Sequence, residues 1–359
     1  MISAPSFPPV GAQGCAVFDL SGRTRLLFSG ADRLRYLNGQ LTQDLKRLAP
    51  GRALPACVTS AKGRLQAEVW ASFEGGADGP IALDAASELR EALAARLERY
   101  IVADEVVLED HTGRAGLLHC IGFAPGQAAS PEGSQAPFQT PTGAGVDATM
   151  PMDAPMDPSA GNPMGTAVGV EDSASALEFP AVLRDLPRVA AFRLGQEGWD
   201  VRVPLDRLDA VKQALEGSLA TDADWETLRI SRGIPVWGAE LDENTLPPEA
   251  GLERTHIDYH KGCYIGQEVI SRLKSVGHVN RTLCRFLGSG PERPARGTVF
   301  FTTTGVEAGV LTSVAGAGAE GFVALGYVKR ACAAETSFMC GKTVLKTIAG
   351  ETIDARRIH

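Results

Sequence analysis

The residues with the clearest chemical potential lie together in THIDYHKGCYIGQEVISRLKSVGHVNR, residues 255–281. Val269, Ile270, Leu273 and Val276 recur at helical spacing, which predicts a helix from near Ile265 with that face buried. Cys263 then stands just before a helix N-terminus, beside Lys261 and His260. The dipole and the cationic neighbours favour its thiolate, the form that attacks electrophiles or binds iron. Gly262 and Gly266 let the backbone come close to a ligand. Each feature also has a purely structural reading. From this context alone Cys263 reads first as a small buried residue, as most free cysteines are, and Gln267 and Glu268 either orient a ligand or simply suit the first turn. Glu268 and Arg272 make an ordinary i,i+4 pair. Arg272, Lys274, His278 and Arg281 form a basic cluster that suits an anionic tail or a solvated face.

Positioning such a loop takes a folded body, and 359 residues at about 150 per domain supply two or three domains. Thr24 to Phe28 reads as a strand, after which Ser29-Gly30-Ala31-Asp32 opens a helix through Leu34, Tyr36 and Leu37. Leu41 to Leu48 predicts a second short helix with Thr42 as cap. Val69 and its neighbours read as strand, and Leu89, Leu93 and Leu97 mark one face of a helix over 88–100. Further on, 189–204 reads as a hairpin turning at Gly195. Helices follow over 205–215 and 224–231, the second stopped by Gly233 and Pro235. From Thr282 the helical period disappears, and TVFFTTT, AGVLTSV and FVALGYV alternate between glycines, which predicts a small all-β barrel or sandwich.

Composition limits the functions open to this body. The hydrophobic fraction is 44% and the charged fraction 22%, both ordinary for globular chains. Lys and Arg total 35 against 43 Asp and Glu, a net charge of −8 that argues against bulk electrostatic binding of nucleic acid. MISAPSFPPVGAQGC has no basic start leading into an apolar run, and no later stretch suits a membrane span, so a cytoplasmic protein is expected. The seven cysteines have no zinc-like spacing, which fits free thiols in a reducing compartment. Residues 124–176 lack any apolar period and hold four methionines (Met150, Met152, Met156, Met164), so a disordered insertion is expected there. Gly316-Ala317-Gly318-Ala319-Glu320-Gly321 matches GxGxxG, but the strand-like GFVALGYVK after it favours a hairpin over a nucleotide loop.

KGCYIGQE, residues 261–268, resembles the signature of the YgfZ-type folate-binding proteins that assist iron–sulfur enzyme maturation and are relatives of the glycine-cleavage T-protein, an aminomethyltransferase. The resemblance extends through LLFSGADRLRYLNGQLTQDL, CVTSAKGRL, RLGQEGWDVRVP, LRISRGIPVWGAELDENTLPPEAGL and the C-terminal strands, and so covers nearly everything but the insertion. It implies an α+β, T-protein-like fold. Two mixed α/β domains (1–123 with 177–280) and a C-terminal β-barrel (281–359) would surround a central opening for tetrahydrofolate or a one-carbon derivative.

By position, the resemblance makes Asp200 the acid that meets the pterin and Arg229 the arginine near the folate tail; a carboxylate and a guanidinium suit those groups. It places Asn38, Arg64, Tyr264, Gln267 and Glu268 around the folate and gives Cys263 and Lys261 the chemistry. Where aminomethyltransferases carry an assisting aspartate, GRLQAEVW places Ala67 at or beside the position, with Glu68 as an imperfect substitute. That departure, with Cys263 and the Lys62-Gly63-Arg64 pattern, favours the YgfZ branch over a folate-dependent aminomethyltransferase. Partners implied are iron–sulfur client enzymes or assembly factors, with neither direct nucleic-acid nor membrane contact. Cys263 would be a transient iron or cluster ligand and no metal would be held stably, since one cysteine supplies at most one of the usual four ligands. Deleting residues 124–176 should leave the thermal unfolding midpoint unchanged; a large drop would show that the segment is part of a packed body.

Overall fold

Strands and helices are mixed up to α5 and only strands and short turns follow, as expected, but sequence neighbours are often not sheet neighbours. The computed structural model describes residues 15–123, 178–275, 277–316 and 321–348. In chain order the elements are β1 (Ala16–Asp19), β2 (Thr24–Ser29), α1 (Arg33–Gln40), β3 (Ala53–Thr59), β4 (Leu65–Phe73), β5 (Ile81–Ala85), α2 (Arg90–Glu98), β6 (Val107–Asp110) and β7 (Ala115–Ile121). After the undescribed stretch come β8 (Arg188–Ala191), β9 (Gly198–Pro204), α3 (Leu205–Ala214), α4 (Asp222–Arg232) and α5 (Gln267–Ser275). The last six strands are β10 (Arg281–Ser289), β11 (Val299–Thr302), β12 (Glu307–Ala315), β13 (Phe322–Lys329), β14 (Ser337–Cys340) and β15 (Thr343–Thr347).

β3-β4-β5-β2-β6 form one antiparallel sheet and β1-β7-β9-β8 a second. Each is two-faced because its strands alternate. Ala67, Val69 and Ala71 of β4 join Tyr36 and Leu37 of α1 and Leu93 and Leu97 of α2 in one core. Leu118 and Cys120 of β7 and Val201 and Val203 of β9 pack with Val211 and Leu215 in another, under α3. The opposite faces carry charge, with Asp84 on β5 bound to an arginine that also binds Asp200 on β9. β10-β13-β12-β11-β14-β15 close into a barrel, filled by Phe286, Phe300 and Phe338 with ring centroids 5.3 to 5.9 Å apart, all edge-on.

Several expectations change in detail. The short helix expected over 41–48 is a 3-10 turn, Leu45–Arg47, whose cap is Asp44 accepting from the Lys46 N–H. Thr42 is no cap: its hydroxyl donates to the His256 carbonyl and accepts from the Cys57 N–H. α5 begins at Gln267, two residues later than its apolar period suggests, because Gly266 has φ +89° and a Cβ there would strike the Ser60 carbonyl. The glycine-rich 316–321 run connects antiparallel β12 and β13, with Ala315 opposite Val323, and a strand follows it. The insertion expected over 124–176, Val276 and residues 317–320 lie outside the described residues. Among those described, no helix is long and apolar enough to cross a membrane.

α4 carries the join to the barrel. Thr221 and Asp224 form its capping box and Gly233, in the left-handed region at φ 75°, ends it. Ile230 packs on Ala315, Val323 and Leu325. Arg229 is 1% exposed, and its guanidinium donates to Glu226, to Glu240 at 3.1 Å, to Ser313 at 2.8 Å and to the Ile234 carbonyl. Glu240 also accepts from Ser313, so the pair is fully engaged. Replacing Arg229 with Met should cost about 3–5 kcal/mol in a chemical denaturation curve, because Glu240 is left buried and unpaired; Glu240→Gln in the same chain should recover part of it.

Candidate functional site

β4 presents Glu68 and Trp70 on the face away from the helices, and β3 presents Pro55 and Cys57 opposite them on the same face. These strands, the turn around Arg193–Gly195, the 233–235 stretch and the 250–256 segment line a small concavity. Its polar wall is Glu68 and His256, joined Nε2 to Oε1 at 3.0 Å. His256 is fixed from behind by the Thr255 hydroxyl at 2.6 Å from Nδ1, and its ring meets Trp70 edge-on at 6.0 Å. Burial raises the Glu68 carboxyl, but His256, Arg23 and Arg193 outweigh it and hold the group below the usual carboxylate range.

Arg193 forms the floor. Its guanidinium lies 4.9 Å from the Trp70 ring centroid, binds both oxygens of Asp200 at 2.9 Å, and reaches Asp84 at 3.1 Å. His119, opposite Asp200 in the β7–β9 ladder, faces the same carboxylate through Nδ1 at 2.8 Å. Burial alone would raise Asp200, yet Arg193 and then His119 drive it far below the normal range. Asp200 is 3% exposed with both oxygens taken, so it stands beneath the cavity as part of an ion network. Burial also pulls His119 down, against the opposing pull of Asp200.

The Cys263 loop is built on a separate set of anchors. Lys261 is buried and its Nζ donates to the carbonyls of Asn38 at 2.6 Å, Leu41 at 2.6 Å and Gln43 at 2.8 Å, using all three of its donors. Burial pulls this lysine down to about 8, while Asp44 and Asp258 favour its charge. The Asn38 side chain accepts from the Leu45 N–H, and so holds the same turn. Tyr264 is also buried, with its ring 5.3 Å from the Lys261 Nζ and its hydroxyl without a partner among the described residues. The Thr59 hydroxyl donates to the Ile265 carbonyl at 2.5 Å, and Gly63, at φ 70°, packs against Val269 and Ile270. The Lys62-Gly63-Arg64 turn thereby lies against the loop.

Between these anchors Cys263 is exposed, whereas the other cysteines are buried or half-buried. α5 starts at Gln267, so Cys263 stands in the loop before the helix and not at its N-terminus. Gln267 is half-buried at the helix start, Glu268 is exposed, and Arg64 is exposed with its guanidinium on the Asn244 carbonyl. Asn38, Lys261, Tyr264 and Gln267 thus gather around the thiol loop, Asp200 lies under the cavity, and Arg229 lies at the barrel. Trp70, Arg193 and His256 are cavity residues that local patterns do not reveal; the one available signal is the alternation of Glu68 and Trp70 along β4. Among the described residues, no group of three or more His, Cys, Asp and Glu side chains converges as a metal site.

No protein-family model matches the chain. It is 28% identical over 325 residues to a chloroplastic protein of Arabidopsis thaliana provisionally named a transferase, a match covering 89% of this chain and 66% of that protein. The chain therefore spans just under two thirds of that relative's length. It is 26% identical over 272 residues to the tRNA-modifying protein YgfZ of Klebsiella pneumoniae, with 75% and 70% covered, and 26% identical over 295 residues to that of Yersinia pestis, with 81% and 77% covered. Among solved structures, the glycine cleavage system aminomethyltransferase T of Bartonella henselae shares the fold, with a TM-score of 0.67, 18% identity, and 94% of this chain and 86% of that one covered.

The ion network under the cavity sets a pH dependence. Folded His119 resists protonation, whereas the unfolded chain accepts a proton near the ordinary value of about 6.5, so stability should fall as pH drops through that value. The melting temperature should decline between about pH 7.5 and about 5.5, and His119→Asn should flatten that slope. An unchanged slope in the variant would assign the dependence to another group.

Proposed function

Because the chain is a YgfZ-type protein related to the glycine-cleavage aminomethyltransferases, we propose that it binds tetrahydrofolate or a one-carbon derivative in the Glu68–Trp70–His256 cavity. On this reading it is a cytoplasmic accessory factor for the assembly or repair of iron–sulfur proteins and affects transfer-RNA modification only through its clients. The observation that carries this reading is the separation of two competent surfaces: an acceptor-walled cavity, and an exposed Cys263 on a loop whose neighbours Lys261 and Tyr264 are buried anchors.

The residues fit a folate. Glu68 supplies a carboxylate for ring and amino donors, Trp70 a flat apolar surface, and His256 keeps the carboxylate in place. When bound, the folate would supply one-carbon chemistry. Cys263 acts elsewhere, at the protein surface, where a client can reach the thiol and the pinned loop limits its wandering. A single thiol contributes at most one ligand to a cluster, which makes its contact with iron or with an oxidised client group transient. Arg229 serves here as the link between α4 and the barrel, and Asp200 as the counter-charge of Arg193.

A second reading, a folate-dependent aminomethyltransferase, draws on one observation: Glu68 faces the cavity while Ala67 is sealed in the helix-side core. Turnover of an aminomethyl donor with tetrahydrofolate, lost in Glu68→Gln, would favour it. The test of the first reading is complementation. In cells lacking the gene, the parent chain should restore the activity of an iron–sulfur methylthiolase acting on transfer RNA. Cys263→Ala at equal soluble level should not, while binding folate as well as the parent does. Equal rescue by both chains would make the thiol structural, and no rescue by either would overturn the maturation role.

A further inference from the structure

Asp200 and Glu68 differ in what they have left to offer. Asp200 accepts from Arg193 on both oxygens and faces His119 through Oδ1, leaving nothing directed at a ligand. Glu68 is joined to His256 through Oε1 only, and Oε2 has no hydrogen-bond partner among the described residues although the side chain is 15% exposed and lines the cavity. The His256 bonding pattern is self-consistent with the Thr255 hydroxyl donating to Nδ1 and Nε2–H donating to Glu68, which fixes both the ring and the carboxylate. With Trp70 two residues along on the same face, the wall combines a flat apolar surface with one open, ionised acceptor.

We propose that Glu68, positioned by His256, reads the donor edge of the bound heterocycle, so that the cavity selects ligands presenting an amino group beside a ring N–H. The 2-amino-4-oxo edge of a pterin is such a donor pair, and its amino group would donate to the open Oε2. This inference rests on the folate reading and deepens it, and it moves the reader of the ring from Asp200 to Glu68. A ligand lacking the amino group leaves Oε2 desolvated and unpaired, and that loss generates the selectivity.

The test is equilibrium binding of 5-formyltetrahydrofolate and its 2-desamino analogue to the parent, Glu68→Gln and His256→Ala chains. The parent should prefer the amino-bearing probe by about 10- to 100-fold, the range expected of one hydrogen bond to a charged group. Glu68→Gln should bring the ratio near unity, mainly by weakening the amino-bearing probe. His256→Ala should reduce the ratio without abolishing it, an effect that a purely structural role would not confine to one of two nearly identical ligands. If the parent binds neither probe, the folate reading falls and this inference with it. If the parent binds both probes equally, or Glu68→Gln keeps the parent's ratio, only the Glu68 assignment is overturned. The comparison of two probes on the parent alone decides the matter should a variant fail to fold.

Discussion

Arg193 between Asp84 and Asp200 is the contact on which the rest of the site depends. The two carboxylates belong to different sheets, and the cation that joins them is itself buried, at 6% exposure. Such a group is costly to desolvate and tolerable only when its donors are met, which ties the polar faces of both sheets to one geometry. The same guanidinium lies over Trp70 and so orients an aromatic wall of the cavity. Arg23 and Arg202 add further positive charge around Asp84, with Arg202 3.6 Å from it. The result is a charged floor in which both Asp200 oxygens are taken, while the buried Asp84 Oδ2 accepts no hydrogen bond among the described residues.

One short segment of chain serves both the cavity and the thiol loop. Thr42 donates to the His256 carbonyl, accepts from the Cys57 N–H, and offers its own carbonyl to the Asp258 N–H. Its neighbours Leu41 and Gln43 supply two of the three carbonyls that hold Lys261. Cys57, in turn, stands directly across the ladder from Glu68. The wall that meets a ligand and the anchor of the exposed thiol are therefore built on the same backbone, residues 41–43. A single three-residue stretch between α1 and its following turn fixes the two surfaces of the proposed function relative to each other.

Much of the fold is legible in local patterns. The period of Leu89, Leu93 and Leu97, the left-handed stop at Gly233 and the alternating C-terminal runs are each set by residues a few positions apart, and each appears where those patterns place it. What local patterns do not carry is pairing across long separations. β7 lies between β1 and β9, and the acid that neutralises Arg193 from the other sheet comes from β5. Residue type likewise does not reveal whether a charge is free or engaged. Asp200 and Arg229 have the right chemistry for a pterin edge and an anionic tail, but their partners, His119, Arg193, Glu240 and Ser313, come from distant stretches of sequence. Thr42 is the same case in miniature: its hydroxyl suits a helix cap, and a tertiary partner claims it first.

The identity of the open acceptor turns on a single extra residue. Cys57 pairs with Glu68 and Val58 with Ala67, but Thr59 pairs with Leu65, so the ladder skips Gln66. Such a bulge shifts the side-chain alternation by one position. Leu65 packs on the cavity side with Cys57, while Gln66 accepts from Arg96 of α2 and Ala67 enters the helix-side core. From Ala67 onward the strict alternation resumes and delivers Glu68 and Trp70 to the cavity. Without the extra residue, Leu65 and Ala67 would share a face; a strand in that register would have to bury either Leu65 under the helices or Ala67 in the cavity wall, and in the latter case Glu68 would be driven into an apolar core. The bulge thus reconciles a buried Leu65 with a cavity-facing carboxylate, and it is the local backbone feature that makes Glu68, and not its neighbour, the residue available to a ligand.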